Sequence, residues 1–198
     1  MLEVAYWRSC IRRVRRLRAL EAVKTIEVPN GVEVSVKDRI VWVNGKKGAL
    51  TRDFSQSPVT IQIEGKEIKV QANWPRKREA SLVGTISSHI QNMIIGVTEG
   101  FTYKLKIVFA HFPISVKVKE NMVSIENFTG ERSPRWARIM GDSKVSAKED
   151  DVIVQGINLE DVSQTAANIE RATKVKRKDP RVFLDGIFVY EKKEGMEA

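Results

Sequence analysis

Two short segments in the second half of the chain carry closely spaced cations with one acid each. Lysine and arginine bind phosphate oxygens, and arginine also stacks on nucleobases, so this density favours a surface that contacts a polyanion. A solvated loop and helix end is the plainer interpretation. The residues are Arg132, Arg135, Arg138 and Lys144 in the first segment, and Lys174, Lys176, Arg177, Lys178 and Arg181 in the second.

Two smaller basic clusters occur in the first half. Lys46 and Lys47 lie in the stretch Gly45–Gly48, which lacks the glycine spacing and the Ser/Thr of a phosphate-binding P-loop. We interpret it as a tight turn with two lysines available to phosphate. The other cluster, at a predicted helix start, comprises Arg76, Lys77 and Arg78.

The overall charge agrees with a polyanionic partner. The chain has a net charge of +9 and a pI near 9.7, which makes nucleic acid the first candidate; a merely soluble basic protein is the alternative. Neither a recognition-helix pattern nor a zinc finger is evident, so sequence readout of duplex DNA is not expected.

Few residues are of a type and spacing that would support catalysis. His89 lies beside the apolar stripe of the first helix and His111 lies between the copies, and both are interpreted as structural or surface imidazoles. Cys10 stands in an arginine-rich segment, where no partner for a nucleophile is evident. Metal-ligand spacing is absent, so we expect no enzyme activity, cofactor, metal or small-molecule substrate. A single cysteine fits a reducing, cytoplasmic compartment, and no apolar run is long enough to span a membrane.

The chain repeats itself. Residues 32–38 reappear at 114–120, and the offset of 82 also relates Gly48 to Gly130 and Phe54 to Trp136. It becomes 84 from Ile61 onward and 79 in the helical region, as expected for two copies with two insertions. A period near 80 residues suits a duplicated small domain rather than a solenoid.

Each copy combines strand and helix periodicity. Strands are predicted near 32–37, 40–43, 59–63, 68–72 and 102–109 in the first copy, and near 114–118, 122–127, 144–147, 151–155 and 183–190 in the second. The first helix is predicted to have Pro75 in its first turn and a buried stripe at Val83, Ile86, Ile90, Met93, Ile94 and Val97. The second begins after Asn158 as N-cap, with Asp161 in capping-box position.

These patterns predict an α+β fold of two tandem duplicated domains, each a mostly antiparallel sheet packed against one helix. The predicted divisions are a basic N-terminal extension (1–24), a first domain (25–109), a second domain (110–193) and a tail (194–198). Trp136 is predicted to be in the core because Phe54 is its counterpart, and Trp42 likewise. Trp74 is left open.

Several segments resemble the archaeal form of the large-subunit ribosomal protein L6 family over about residues 25–193. The segments that carry the resemblance are 43–50 (VNGKKGAL), 74–78 (WPRKR), 84–94 (GTISSHIQNMI), 96–101 (GVTEGF), 110–114 (AHFPI), 127–132 (NFTGER), 164–170 (QTAANIE) and 179–187 (DPRVFLDGI).

The resemblance implies a non-enzymatic protein that binds large-subunit ribosomal RNA, chiefly through the second domain. The family's basic loops correspond to Arg132, Arg135, Arg138 and residues 174–181. It implies a place near the sarcin–ricin region, a role in subunit assembly, contacts with neighbouring ribosomal proteins and transient contacts with translational GTPases. A free-standing RNA-binding regulator and an enzyme acting on an anionic substrate remain alternatives.

The first 23 residues depart from the family pattern. Ile11, Val14 and Leu17 alternate with arginines, which is compatible with a basic amphipathic helix. The segment is interpreted as translated upstream sequence, as an arm that threads into RNA, or as a targeting segment.

Overall fold

The computed structural model describes residues 21–110, 112–148, 150–176, 179 and 182–196. The expectations for residues 1–20, including Cys10, and for His111, Arg177, Lys178 and Arg181 lie outside the described residues.

The described residues of the first half form two antiparallel three-stranded sheets and one helix, α1. The sheets have the strand orders β1-β6-β5 and β2-β3-β4. The bounds are β1 Glu21–Glu27, β2 Glu33–Lys37, β3 Ile40–Gly45, β4 Gly48–Asp53, β5 Thr60–Glu64, β6 Glu67–Asn73 and α1 Lys77–Thr98.

The second half repeats this plan and extends it by one strand. Its sheets have the orders β11-β12-β7-β13 and β10-β9-β8, and all pairs are antiparallel. The bounds are β7 Phe101–Val108, β8 Ser115–Lys119, β9 Met122–Glu126, a short 3₁₀ helix Phe128–Gly130, β10 Arg135–Arg138, β11 Lys144–Lys148, β12 Asp151–Gly156, α2 Leu159–Ala172 and β13 Gly186–Glu194.

Each helix buries its apolar stripe against the sheets of its own half. All six predicted positions of α1 are buried, and Val162, Ala166 and Ile169 of α2 are buried as well. The Asn158 side chain accepts a hydrogen bond from the Glu160 N–H at 3.2 Å, as predicted for an N-cap. The α+β class and the tandem duplication are confirmed.

Three predicted divisions do not coincide with the limits of the sheets. The strand predicted to close the first domain is β7, which pairs with β12 and β13 of the second half. Within the predicted extension, Glu21 to Lys24 belong to β1 and pair with β6. The last strand runs to Glu194, and the Gly195 and Met196 N–H groups donate to the Gly100 and Glu99 carbonyls. Strand pairing over long sequence distances decides these points, and local periodicity does not report it.

The start of α1 and two further strands also differ from prediction. Pro75 precedes the N-cap of α1, Arg76, rather than standing in its first turn. β4 and β10 were not predicted, because neither shows strict alternation of apolar and polar residues.

The strand registers reveal the true correspondence between the halves. Trp42 pairs with Thr51, and its counterpart Ser124 pairs with Trp136. The counterpart of Trp136 is therefore Thr51, at an offset of 85, and that of Phe54 is Ile139. Accordingly, the Phe54 N–H donates to the Arg39 carbonyl, and the Ile139 N–H donates to the Asn121 carbonyl.

The halves meet where the last turns of α1 approach the start of α2. Gly96 lies so close to Ile157 that a Cβ there would come within 2.1 Å of the Ile157 carbonyl oxygen, so only glycine fits. The Arg52 guanidinium donates to the Glu160 carboxylate at 2.5 Å. Only Glu99 and Gly100 separate α1 from β7.

Candidate nucleic-acid interface

Arg135 occupies an inward-facing position of β10, where the first half has Leu50. Its guanidinium forms a double hydrogen bond with the Glu131 carboxylate, at 2.8 and 2.6 Å. Its Nη1 also donates to the carbonyls of Ala172 and Lys174, at 2.9 and 3.2 Å. Because these groups occupy the guanidinium, we no longer expect Arg135 to contact phosphate.

The Arg135 contacts join the two basic segments of the second half. The carbonyls to which it donates lie at the C-terminal end of α2, where a cation is favoured by the helix dipole. The guanidinium also stands 4.3 Å from the centroid of the Phe128 ring, and the Asn168 amide donates to the Arg138 carbonyl at 3.0 Å. The loop before β10 is therefore held against the end of α2.

The two joined segments carry a set of exposed cations, here called the basic edge. It comprises Arg132, Arg138, Lys174 and Lys176, and all four residues are exposed. Within the described part of the chain, none of them forms an ion pair. Unneutralised cations held side by side create a local positive potential that attracts a polyanion.

Lys144 does not belong to the basic edge. It is exposed on β11 and pairs with Gln155, close to the start of α2. A 14-residue helix is about 21 Å long, so Lys144 lies most of a helix length from Lys174.

The lysines of the first half have different surroundings. Lys46 and Lys47 form the tight turn between β3 and β4, as predicted. The Lys47 N–H donates to the Val97 carbonyl at 3.1 Å, and its ammonium group donates to the Glu99 carbonyl, so Lys47 caps the end of α1. Lys46 is exposed.

The third predicted cluster stands at the beginning of α1. Arg76, Lys77 and Arg78 are exposed there, next to Trp74, which is 69% exposed. The N-terminal end of a helix carries a partial positive charge, so three cations at this place are unfavourable for the helix itself. An external anion would remove that penalty.

Sequence reasoning missed a further set of residues beside the basic edge. Lys117 and Lys119 of β8 point to the same side of their sheet as Trp136 and Arg138 of β10. Trp136 is 48% exposed, so its predicted place in the core is wrong; Trp42 also faces outward from its sheet and is only partly buried. The alternation of Lys117 and Lys119 with Val116 and Val118 was a usable signal.

His89 lies at the junction of the halves, with its Nδ1 3.5 Å from the Glu160 carboxylate. Burial and the nearby Arg52 lower the pKa of His89, while Glu160 opposes that shift. Among the described residues no cluster of His, Cys, Asp and Glu could hold a metal ion.

An apolar groove of about 810 Å³ runs alongside the end of α2. Val175, Leu184 and Phe188 line it. The buried Asp185 carboxylate there accepts a hydrogen bond from the Ala110 N–H at 2.6 Å, which is a structural role. None of the helices described is long and apolar enough to cross a bilayer.

Comparison with known proteins identifies the family. A family model described as Ribosomal protein L6 matches residues 28–100 and 112–186. Proteins named large ribosomal subunit protein uL6 from Methanosarcina mazei and Aeropyrum pernix are 47% and 51% identical over 172 and 174 residues. Each alignment covers 87% of this chain, and 98% and 96% of the respective relatives. The chain belongs to the ribosomal protein L6 family, whose members are structural proteins and not enzymes.

Proposed function

We propose that this protein is a structural component of the large ribosomal subunit and that its basic edge binds large-subunit ribosomal RNA. The relatives described above carry the name of a large-subunit protein. The ligand of the basic edge is folded RNA. Its phosphates are neutralised by Arg132, Arg138, Lys174 and Lys176.

The observation that carries this proposal is the contact made by Arg135. Through this contact one arginine joins two separate basic segments. The other four cations are exposed and form no ion pair within the described part of the chain. A surface that only needed solubility would not require such a link. Cations fixed on loops recognise the shape and phosphate path of RNA more than the identity of its bases.

Two finer parts of the proposal rest on the family resemblance. One is a location near the sarcin–ricin region, where translational GTPases dock. The other is support of subunit assembly by the first half, through Lys46 and the cluster Arg76, Lys77 and Arg78, which faces RNA or neighbouring ribosomal proteins.

The basic edge is tested by removing two of its charges. The double variant Arg132→Ala/Arg138→Ala should reduce the salt slope of binding to full-length large-subunit ribosomal RNA by about 2, one for each lost phosphate contact. Filter binding over a range of salt concentrations measures the slope.

The matched control removes two exposed lysines elsewhere, Lys37→Ala/Lys148→Ala. It changes the net charge by the same amount and should leave the slope close to that of the unchanged protein. Equal slopes for both variants would contradict a localised interface.

A free-standing RNA-binding regulator is the alternative function. Sedimentation separates the two, because a ribosomal component migrates with large subunits at near one copy per particle. A protein found mainly outside that fraction would contradict the ribosomal role.

A further inference from the structure

Among the residues that the structure describes, no helix covers one of the two faces of the sheet β10-β9-β8. Its inward positions, such as Val123, Ile125 and Ala137, pack into the core of the second half. The opposite face, here called the outer face, is formed by Lys117, Lys119, Met122, Ser124, Trp136 and Arg138.

Trp136 is the largest exposed group of the outer face. It stands on an edge strand, 48% exposed, and the Lys119 ammonium lies 5.6 Å from its ring centroid. An indole ring with a cation beside it offers stacking to a base and charge to the adjoining phosphate.

Ser124 is an independent indication that the outer face binds a ligand. It lies on the central strand, in register with Lys117 on one side and Trp136 on the other, and is 1% exposed. Its hydroxyl has no hydrogen-bond partner among the described residues. Buried hydroxyls normally have one, so a polar ligand reached by a small movement of the neighbouring side chains would satisfy it.

The charge of the outer face selects RNA over a protein partner. Three cations, Lys117, Lys119 and Arg138, stand against one carboxylate, Glu126, which pairs with Lys117 at 2.7 Å. The centres of protein interfaces are depleted in lysine, because its charge must be stripped of water there. Arg138 also belongs to the basic edge, so the two surfaces are continuous.

We propose that the outer face holds an unpaired nucleotide of the bound RNA, with its base stacked on Trp136. Lys119 and Arg138 contact the phosphates on either side of it. This inference rests on the proposed function, since the nucleotide belongs to the RNA that the basic edge binds.

The test replaces the Trp136 ring in three ways. Trp136→Thr introduces the residue found at the corresponding position of the first half, Trp136→Leu keeps apolar bulk without a π-system, and Trp136→Phe keeps an aromatic ring. Affinity for full-length large-subunit ribosomal RNA should fall roughly 5- to 100-fold for Thr and Leu, and less for Phe. The salt slope should not change, because no charge is removed.

The variants distinguish stacking from the other possibilities. If Trp136→Leu binds as tightly as Trp136→Phe, the contact is merely apolar and the inference is overturned. If all three bind like the unchanged protein while Arg132→Ala/Arg138→Ala loses slope, the stacking inference fails and the proposed function stands. If the unchanged protein does not prefer this RNA to an unrelated RNA of equal length, both fail.

Ultraviolet crosslinking of the unchanged protein to the same RNA provides a measurement that needs no variant. Mass spectrometry should find a nucleotide attached to the peptide that contains Trp136. A crosslink at the peptide of Trp74 or Trp42, and none at Trp136, would overturn the inference even if the Trp136 variants failed to fold.

Discussion

The two halves carry the same small sheet, but they use its uncovered side differently. In the first half, Glu33 and Asp53 outnumber Lys37 on that side, and Trp42 stands on the central strand between Ser35 and Thr51. On the same side of the sheet in the second half, cations outnumber acidic residues. The central strand has a serine there, and the tryptophan lies on the edge strand. The inward positions hold the same kinds of residue, since Val41 and Val43 correspond to Val123 and Ile125. A duplicated scaffold thus specialises at positions that its core does not constrain.

The helix ends show a second contrast. α2 has Glu160 and Asp161 in its first turn and Arg171 in its last, so its charges suit the helix dipole at both ends. At the end of α1, the Lys47 ammonium donates to the Glu99 carbonyl. At its start, three cations lie in or next to the first turn. The charges of α2 stabilise the fold. At the start of α1 only Glu79, whose carboxylate accepts a hydrogen bond from the Arg76 N–H at 2.7 Å, suits the dipole, and the three cations oppose it. This excess of cations favours a role in binding.

The largest expected effect on stability is at Arg135, where the corresponding position of the first half holds a leucine. Arg135→Ala should lower the free energy of unfolding by about 2–3 kcal/mol, because the Glu131 carboxylate and two carbonyls lose their partner. Chemical denaturation measures the change. Arg138→Ala, three residues on and exposed, should change stability by less than about 0.5 kcal/mol. Equal effects would show that Arg135 does not fasten the two segments.

A smaller effect of opposite sign is expected at the start of α1. Replacing Arg76, Lys77 and Arg78 together by Ala should raise the free energy of unfolding by about 1 kcal/mol, since repulsion from the helix dipole is removed. The same variant should bind ribosomal RNA less tightly. Replacing Arg171 of α2 by Ala is the control and should reduce stability slightly. Lower stability in the triple variant would refute this account of the α1 cations.

The smallest effect concerns the junction between the halves. Burial holds the pKa of His89 below its ordinary 6.5, so the folded protein binds the proton less readily than the unfolded chain. Stability that depends on His89 is therefore present above pH 6.5 and is lost as the pH falls below it. Unfolding at several pH values should show a steeper acid loss for the unchanged protein than for His89→Gln. Parallel pH profiles would exclude His89 as a source of pH dependence.

Local patterns were sufficient for the parts of this fold that local chemistry determines. The apolar stripe of α1, the Asn158 cap and the β2–β3 hairpin depend on residues a few positions apart, and all were predicted. The correspondence of Trp136 with Phe54 failed because the connection before β10 is longer than the two-residue turn before β4. That difference shifts the register by three residues, and Trp136 then falls on the uncovered side of the sheet.

The candidate site was predictable in composition but not in detail. Charge density located both segments of the basic edge, and their adjacency is a result of folding that spacing cannot reveal. The inward orientation of Arg135 follows from strand pairing, because its partner Ile125 is buried. A count of cations does not distinguish these two arginines. Arg135 stabilises the fold, whereas Arg138 faces solvent.

The two-residue connection between α1 and β7 determines how far the protein can bend. β7 lies inside its sheet, hydrogen-bonded to β12 on one side and β13 on the other, so the chain leaving α1 enters the framework of the second half at once. A two-residue link between a helix and a hydrogen-bonded strand leaves the halves little freedom to reorient there. A partner bound both at the start of α1 and at the end of α2 would therefore meet these two places at a spacing that the fold sets.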